Sequence, residues 1–294
     1  MRLFEKAGRI TAEALAKAKK IARPGGNLEE FAEEVESFIK SKGAAPAFPV
    51  NIGIDCVAAH YTPSRGDAGV FPEKGVVKID VGAQVDGYCG DSAATIDFGE
   101  ENGKLVEASE AALEAAISAM KAGVKTNEVG QAIETEIRSR GFKPIENLTG
   151  HAIKRFTLHA GTVVPNVHTR ESTEVKEGEI LAVEPFASTG KGRVGEGAQV
   201  EIFSFSGRVN PRLPQSRKVQ DAIEKKFPFL PFAERWLYAD FSSALAVQSG
   251  LKELAHLGGL RTHPVLSDAR GSLVSQAEHT LLVESGGCRV LTRL

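Results

Sequence analysis

Apolar residues recur at helical spacing in two pairs of neighbouring segments. In each segment an apolar position returns every three or four residues, which is typical of a helix with one buried face. The four predicted helices span about 4–22, 27–42, 104–121 and 125–140. Shorter apolar runs predict strands at about 48–59, 75–82, 88–97, 162–165, 180–184 and 198–206. The pattern indicates an α+β fold.

Glycine and short polar residues separate the helices of each pair. Pro24 to Asn27 ends the first helix and places an Asn where it can cap the second. Gly123 with Thr126 is predicted to do the same in the second pair. After residue 206 the pattern changes to a stretch containing PFLPFAERW, a helix near 243–258 and a last strand in QAEHTLLVE. We interpret this stretch as an insertion on the same core.

The two helix pairs also match residue by residue. RPGGNLEEFAEEVESFIKSKG aligns with KAGVKTNEVGQAIETEIRSRG at a shift of 98, and EKGVVKIDV aligns with KEGEILAVE at a shift of 103. His60 and His159 lie 99 residues apart. A chance match between two helix pairs of common length is the alternative. A duplicated helix, helix, strand unit accounts for all these offsets, and it predicts two halves related by a pseudo-twofold axis with a site between them.

Composition excludes several classes of protein. The chain has 294 residues, is 42% hydrophobic and 25% charged, and carries 36 basic against 38 acidic residues, so bulk charge favours neither a nucleic-acid nor a membrane partner. No apolar run is long enough to predict a transmembrane helix, and the N-terminus reads as an amphipathic helix without a signal peptide. Three separated cysteines without a CxxC pair indicate a reducing, cytoplasmic setting.

Two aspartates interrupt strand-like sequence and need a reason. If Asp86-Gly87 is a two-residue hairpin turn, Asp80 lies opposite Ala93 and diagonal to Asp91 on one face of the sheet. Such diagonal neighbours are about 7–8 Å apart, so the two charges repel unless a cation lies between them. The alternative is that one aspartate binds a neighbouring turn and the other is solvated at an edge.

Further metal-binding residue types follow apolar strands in the second half. His151 and His159 occur in LTGHAIKRFTLHAG, Glu184 occurs in LAVEPF, and Glu278 lies in the last strand. Taken singly, a core histidine or a glutamate at a strand end explains each of them. Together with the two aspartates they form an oxygen-rich set with one imidazole, which suits two divalent ions.

Long motifs resemble those of the type II methionine aminopeptidases. They are PAFPVNIGIDCVAAHYTP, KIDVGAQVDGYCGDSAAT, LTGHAIKRFTLHAGTVVPN, AVEPFASTGKG, LPFAERWL and QAEHT, in this order and over nearly the whole chain. The resemblance implies the pita-bread fold of the creatinase and aminopeptidase superfamily, as one catalytic domain over 1–294. It also implies that about 206–265 is the helical insertion of the type II enzymes.

The resemblance assigns a role to each candidate residue. Asp80 would bind one metal, Asp91 and Glu278 would bridge two, and His151 and Glu184 would bind the other. His60 would lie beside the substrate amide and His159 near the scissile carbonyl. Apolar residues of the methionine pocket would be Phe48, Leu158 and Phe186, although ordinary core packing explains any one of them equally well. Two departures from the family pattern are Ala277 and His263, each where an aromatic residue is expected, the latter at the pocket rim.

The implied function is removal of methionine from the N-terminus of nascent proteins and peptides, preferentially before a small second residue. Two divalent ions of cobalt, manganese, iron or zinc would activate water for attack on the scissile carbonyl, with Glu184 as proton shuttle and His60 and His159 stabilising charge. Expected partners are peptides with a free N-terminal methionine and nascent chains at the ribosome, with no membrane and no direct nucleic acid, and the expected state is a monomer.

Two rival functions share the fold. Prolidase and aminopeptidase P have a similar ligand set but usually carry an extra N-terminal domain, whereas here the first repeat helix begins at once. A metal-free binding protein on the same scaffold is the other rival. Retention of all five ligand positions and both accessory histidines disfavours it.

Overall fold

Two helix pairs and four antiparallel sheets form the framework of the computed structural model, which describes residues 1–294. The helices are α1 (Arg2–Ile21), α2 (Leu28–Ser41), α3 (Gly103–Ala119), α4 (Thr126–Ser139), α5 (Pro214–Lys226), α6 (Glu234–Leu237) and α7 (Ala244–His256). The strands are β1 (Ala45–Pro46), β2 (Asn51–Ile54), β3 (Val57–Ala59), β4 (Gly75–Val85), β5 (Tyr88–Phe98), β6 (Lys143–Pro144), β7 (Thr149–Ala152), β8 (Val163–Pro165), β9 (Ile180–Val183), β10 (Phe186–Ser188), β11 (Gly195–Phe205), β12 (Phe232–Ala233), β13 (Leu260–Ser267), β14 (Val274–Gln276), β15 (His279–Glu284) and β16 (Gly287–Val290). No helix combines the length and the apolar run that crossing a membrane requires.

Each half of the molecule has its own main sheet. In the first half β4 pairs with β1, β2 and β5, and in the second the order is β16-β15-β9-β7-β8. The two remaining sheets have three strands, in the order β14-β10-β6, and four strands, in the order β12-β11-β13-β3. Strand β15 of the second main sheet contacts β5 of the first.

The duplication is visible in the element boundaries. Helix α4 begins 98 residues after α2 (126 against 28), and the same shift relates β6 to β1 and β7 to β2. Gly25, Gly43, Gly123 and Gly141 all have positive φ, the conformation that glycine adopts at the end of a helix. Two hydrophobic cores of nearly equal size, with 19 and 20 buried residues, underlie the halves. The predicted pseudo-twofold repeat is confirmed.

One of the two predicted helix caps is correct. The Asn27 side chain accepts a hydrogen bond from the Glu30 N–H at 2.9 Å, as its position at the N-terminus of α2 predicts. The prediction that Thr126 caps α4 is wrong, because the helix begins at Thr126 itself. The hydroxyl of Thr126 instead accepts from the Thr173 N–H at 3.1 Å and ties the helix to a loop.

The segment from about 206 to 265 contains α5, β12, α6, α7 and much of β13. It has a small core of its own, in which Val219, Phe232 and Leu251 pack against Phe203 of β11. Helix α5 is absent from the sequence prediction, since Val219 and Ile223 are the only large apolar residues on its buried face. A buried ion pair between Arg235 and Glu36 connects this segment to α2.

Candidate active site

One cavity of about 230 Å³ contains every side chain that the sequence predicts for the site. It lies between the two halves. The eleven predicted residues that line it are Phe48, His60, Asp80, Asp91, His151, Leu158, His159, Glu184, Phe186, His263 and Glu278. None of the predicted site residues lies elsewhere.

The β4–β5 hairpin places the two aspartates. Asp86 and Gly87 both have positive φ, as a two-residue turn of this kind requires, and Val85 pairs with Tyr88. Asp80 consequently lies opposite Ala93, and Asp91 lies opposite Gly82, two positions along from Asp80 on the same face. The predicted register is confirmed.

Strands of the second half bring the other candidate ligands to the same place. His151 lies on β7, Glu184 follows β9 directly, and Glu278 precedes β15. His151 Nε2 is 3.8 Å from Asp91 Oδ2 and 3.7 Å from Glu184 Oε1. Ligand atoms of Asp91, His151 and Glu278 all lie within 4.8 Å of one another. These separations exceed hydrogen-bond length and leave space for an ion between the donors.

Hydrogen bonds join β5 to β15 beside these carboxylates. The Thr280 hydroxyl accepts from the Asp91 N–H and donates to the Asp91 carbonyl oxygen, both at 2.8 Å. Glu278 N–H donates to the Ala93 carbonyl oxygen at 3.0 Å, and the Ser92 hydroxyl donates to the Glu278 carbonyl oxygen at 2.7 Å. The backbones of Asp91 and Glu278 are thus held in place by hydrogen bonds between the two halves that do not involve their carboxylates.

The carboxylates lack counter-charge from the protein. Asp80 Oδ1 and Asp91 Oδ1 are buried without a hydrogen-bond partner, which is rare for carboxylate oxygens. Burial raises the pKa of Asp80 to about 7. Burial, and then repulsion by neighbouring carboxylates, holds the pKa values of Asp91, Glu184 and Glu278 well above their usual range. A divalent cation would offset both costs.

The imidazole of His151 is suited to the same ion. Burial, and then the electrostatic interaction with His159, lowers the pKa of His151 to about 3, so its ring is neutral at physiological pH. Neutral imidazole is the form that coordinates metals. The residues present therefore fit a site for divalent metal, rich in oxygen ligands with one nitrogen.

Three further histidines surround the cavity. His60 has φ of +66° and donates from Nδ1 to the Pro264 carbonyl oxygen at 3.2 Å, which leaves Nε2 as an acceptor in the neutral ring. His263 forms a hydrogen bond of 2.8 Å from Nε2 to Ser204 Oγ, and its ring lies 5.5 Å from that of His60. Burial lowers the pKa values of His60 and His159, and it lowers that of His263 to about 3.

Apolar side chains complete the cavity wall. Phe48 and Leu158 belong to one buried cluster, and Phe186 belongs to another, so these residues also pack the core. Gly82 is required beside Phe48, because a Cβ at position 82 would lie 2.3 Å from the Phe48 ring. Phe48 therefore packs directly against β4 at the residue that pairs with Asp91.

Comparison with known proteins assigns the chain to a family. The model of metallopeptidase family M24 matches residues 2–203.

The chain belongs to metallopeptidase family M24.

Its relatives agree with this assignment. It is 43% identical to a methionine aminopeptidase of Pyrococcus horikoshii over 287 residues that cover 97% of each chain. Its fold is similar to that of a thermophilic Arx1 (TM-score 0.86, 19% identity, 100% of this chain and 90% of the other) and of a methionine aminopeptidase from Thermotoga maritima (TM-score 0.72, 24% identity, 100% and 96%). The predicted family and pita-bread fold are confirmed.

Several residues that line the cavity of the candidate active site are missing from the sequence prediction. They are Asn51, Ala59, Asn147, Leu148, Thr149, Ile202 and Pro231. Asn51 pairs directly with Asp80 across β2 and β4, and its side chain donates to the Pro49 carbonyl oxygen at 2.7 Å. A polar residue in an otherwise apolar strand is the one signal in the sequence that could have identified it.

Ala277, the departure from the family pattern that precedes Glu278, is buried in the core of the second half.

Metal binding should stabilise the M24 fold more at neutral than at acidic pH. The pKa of Asp80 rises from 3.8 to about 7, so between these values the metal-free fold holds protons that the unfolded chain has lost. The free energy of unfolding of the metal-free protein therefore falls as pH rises through that interval. A bound divalent ion would compensate the carboxylate charge in place of the lost proton. We expect manganese to raise the unfolding temperature, relative to chelator, more at pH 7 than at pH 5.

Thermal unfolding with and without manganese at the two pH values measures this effect. Asp80→Asn should lose much of the increase, whereas Asp86→Asn, at the exposed hairpin turn, should keep it. An equal increase at both pH values, or a full increase in Asp80→Asn, would contradict the assignment of Asp80 to the metal site.

Proposed function

We propose that this M24 protein is a metal-dependent aminopeptidase that removes methionine from the N-terminus of peptides and nascent proteins, preferentially before a small second residue. One observation carries the proposal. Four carboxylates, of which Asp91 and Glu278 are buried and Asp80 and Glu184 half-buried, line a single cavity with an imidazole and an apolar wall, in a chain 43% identical to a methionine aminopeptidase.

Five side chains would hold two divalent ions: Asp80, Asp91, His151, Glu184 and Glu278. Four carboxylate charges balance two such ions, and cobalt, manganese, iron and zinc all accept this donor set. When bound, the metal supplies an electrophile that polarises the scissile carbonyl and makes water acidic enough to attack at neutral pH. Asp91 and Glu278 are proposed as the shared ligands, since the family pattern places the bridging carboxylates at these positions and their ligand atoms lie within 4.8 Å of one another.

Proton transfer is proposed to pass through Glu184. Its carboxylate lines the cavity at the end of β9, directly before Pro185, and lies 3.7 Å from His151 Nε2. A carboxylate in this position can take the proton from the attacking water and deliver it to the leaving nitrogen. The neighbouring proline fixes the backbone at this point.

The two accessory histidines are proposed to orient the peptide bond. Because the Pro264 carbonyl oxygen accepts from Nδ1 of His60, Nε2 of His60 can accept the N–H of the substrate amide. His159, whose ring lies 4.2 Å from that of His151, is proposed to donate to the carbonyl oxygen as negative charge develops there.

The methionine side chain is proposed to contact Phe48, Leu158, Phe186 and His263. A thioether packs favourably against aromatic rings, and its flexible stem fits an irregular apolar wall. His263 is held by Ser204 and faces His60 edge-on, so a polar group takes the place that the family pattern gives to an aromatic ring.

Hydrolysis of Met-Ala-Ser and Leu-Ala-Ser by metal-loaded protein tests the proposal. We expect methionine to be released at least about tenfold faster than leucine, since side-chain differences of this size in an apolar pocket are worth about 10–200-fold. Absence of methionine release with cobalt, manganese and iron would overturn the activity, and equal release of leucine would overturn the specificity. Preferential cleavage of Leu-Pro would favour the prolidase alternative.

A further inference from the structure

A second and larger depression lies beside the candidate active site. It has a volume of about 870 Å³, against about 230 Å³ for the cavity, and it separates α2 from the insertion. Its walls include Lys40 of α2, Pro46 of β1, Phe227 and Trp236. The volume falls within the range of about 300–1,000 Å³ typical of ligand sites. We call this depression the aromatic groove.

The aromatic groove and the cavity share a wall. Pro231 lines both of them. The preceding residue, Leu230, lines the groove and packs against the buried cluster that contains Phe48 and Leu158 of the cavity. In β1 and the segment that continues from it, Pro46 lines the groove and Phe48 lines the cavity. The groove therefore begins where the cavity ends.

Aromatic side chains are concentrated in the groove. Five of its 21 lining residues are aromatic, in a chain that is 6% aromatic, and such enrichment is typical of surfaces that bind polypeptides. Phe229 is 61% exposed, and its ring lies 4.9 Å from that of Phe156. Because Phe229 lies among other aromatic residues of the groove, it belongs to a grouped apolar surface, which marks an interaction site as a single exposed residue would not.

Phe156 is held in the groove by its backbone. It has φ of +57°, a conformation that bulky residues rarely adopt, and its N–H donates to the Gly87 carbonyl oxygen at 2.7 Å. Its ring fills the space where a side chain at position 87 would lie. The β4–β5 hairpin, which carries Asp80 and Asp91, thus fixes one aromatic wall of the groove.

Charged residues of both signs that form no ion pair lie along the edge of the groove. Lys40, Lys225 and Glu33 are exposed and take part in no ion pair. An apolar floor with a polar rim is the usual anatomy of a surface that binds a polypeptide chain.

We propose that the aromatic groove binds the part of the peptide substrate that follows its second residue. This rests on the proposed function, in which the cavity encloses the N-terminal methionine and its peptide bond. The rest of the substrate must leave past the shared wall at Pro231, and there it meets Phe156 and Phe229. The groove extends substrate recognition beyond the cleaved bond without reading a particular sequence, because aromatic rings and a rim of mixed charge accept many side chains.

Rates of methionine release from Met-Ala-Ser and from a nine-residue peptide with the same first three residues test this proposal. In the wild type we expect kcat/KM to be about tenfold higher for the longer peptide, chiefly through a lower KM, because buried aromatic anchors provide energies of this size. Phe229→Ala should reduce this ratio at least about threefold, since one of the anchors is lost. Leu245→Ala, a truncation of a residue 77% exposed on α7, serves as the matched control and should keep the ratio.

The tripeptide rate of each variant reports its folding and separates two kinds of failure. A ratio near one in the wild type, or an unchanged ratio in Phe229→Ala, overturns the groove assignment while methionine release from Met-Ala-Ser leaves the proposed function intact. No release from either peptide overturns both.

Discussion

Asp91→Asn should lose at least about a hundredfold in kcat/KM for Met-Ala-Ser, since even removal of residues that only support metal ligands costs about 10–100-fold. The substitution keeps the shape of the side chain and removes one of the four carboxylate charges that would balance the two ions. Thr280 continues to hold the backbone of residue 91 through two hydrogen bonds, so the fold should persist. Glu278→Gln should behave alike, because Glu278 is fixed in the same manner to Ala93 and Ser92.

Kinetics combined with metal analysis of each variant measures this effect. The matched control is Asp97→Asn, which changes a carboxylate on the same strand that bonds to Asn102 outside the cavity. It should retain near wild-type turnover and metal content. Wild-type turnover in Asp91→Asn or Glu278→Gln would show that these residues are not the shared ligands.

Arg235→Ala should lower the free energy of unfolding by about 3–5 kcal/mol, the usual cost of leaving one partner of a buried ion pair without the other. Both side chains of the pair with Glu36 are buried. Arg235 also donates to Thr62 Oγ1 and to the Pro63 carbonyl oxygen, while Glu36 accepts from Trp236 Nε1 at 2.7 Å. Burial raises the pKa of Glu36 despite the opposing charge of Arg235, which shows how strongly this carboxylate depends on its partners.

Urea denaturation of the single variants and of Glu36→Ala/Arg235→Ala measures the loss. The double variant should be less destabilised than the sum of the two single variants, because no charge is left buried alone. Arg208→Ala is the control, since Arg208 pairs with Asp221 and Glu224 at the surface, where such pairs contribute about 0–1 kcal/mol. A small loss in Arg235→Ala, or strict additivity, would contradict this account of how the segment 206–265 is attached to α2.

The sequence predicts those parts of the fold that depend on local pattern. The register of Asp80 and Asp91 follows from a two-residue turn and the alternation of the flanking strands, both of which lie within one hairpin. The duplication follows from matching helix boundaries. The positions of the candidate ligands follow from motifs that end or interrupt apolar strands.

Features set by distant contacts escape prediction. Strands β1 and β6 are two residues long and exist only because β4 and β10 pair with them. Asn51 lies in the cavity because β2 pairs with β4, although β3 and the long loop after it separate these two strands in the sequence. The ion pair between Arg235 and Glu36 joins residues 199 positions apart, and neither residue carries a local signal of its partner.

The metal dependence of the proposed aminopeptidase is measured by methionine release from Met-Ala-Ser by chelator-treated protein, before and after titration with manganese. We expect no detectable release in the chelator, and recovery that saturates at two ions per chain. Undiminished release by protein from which metal analysis finds all divalent ions removed would show that the activity does not depend on metal.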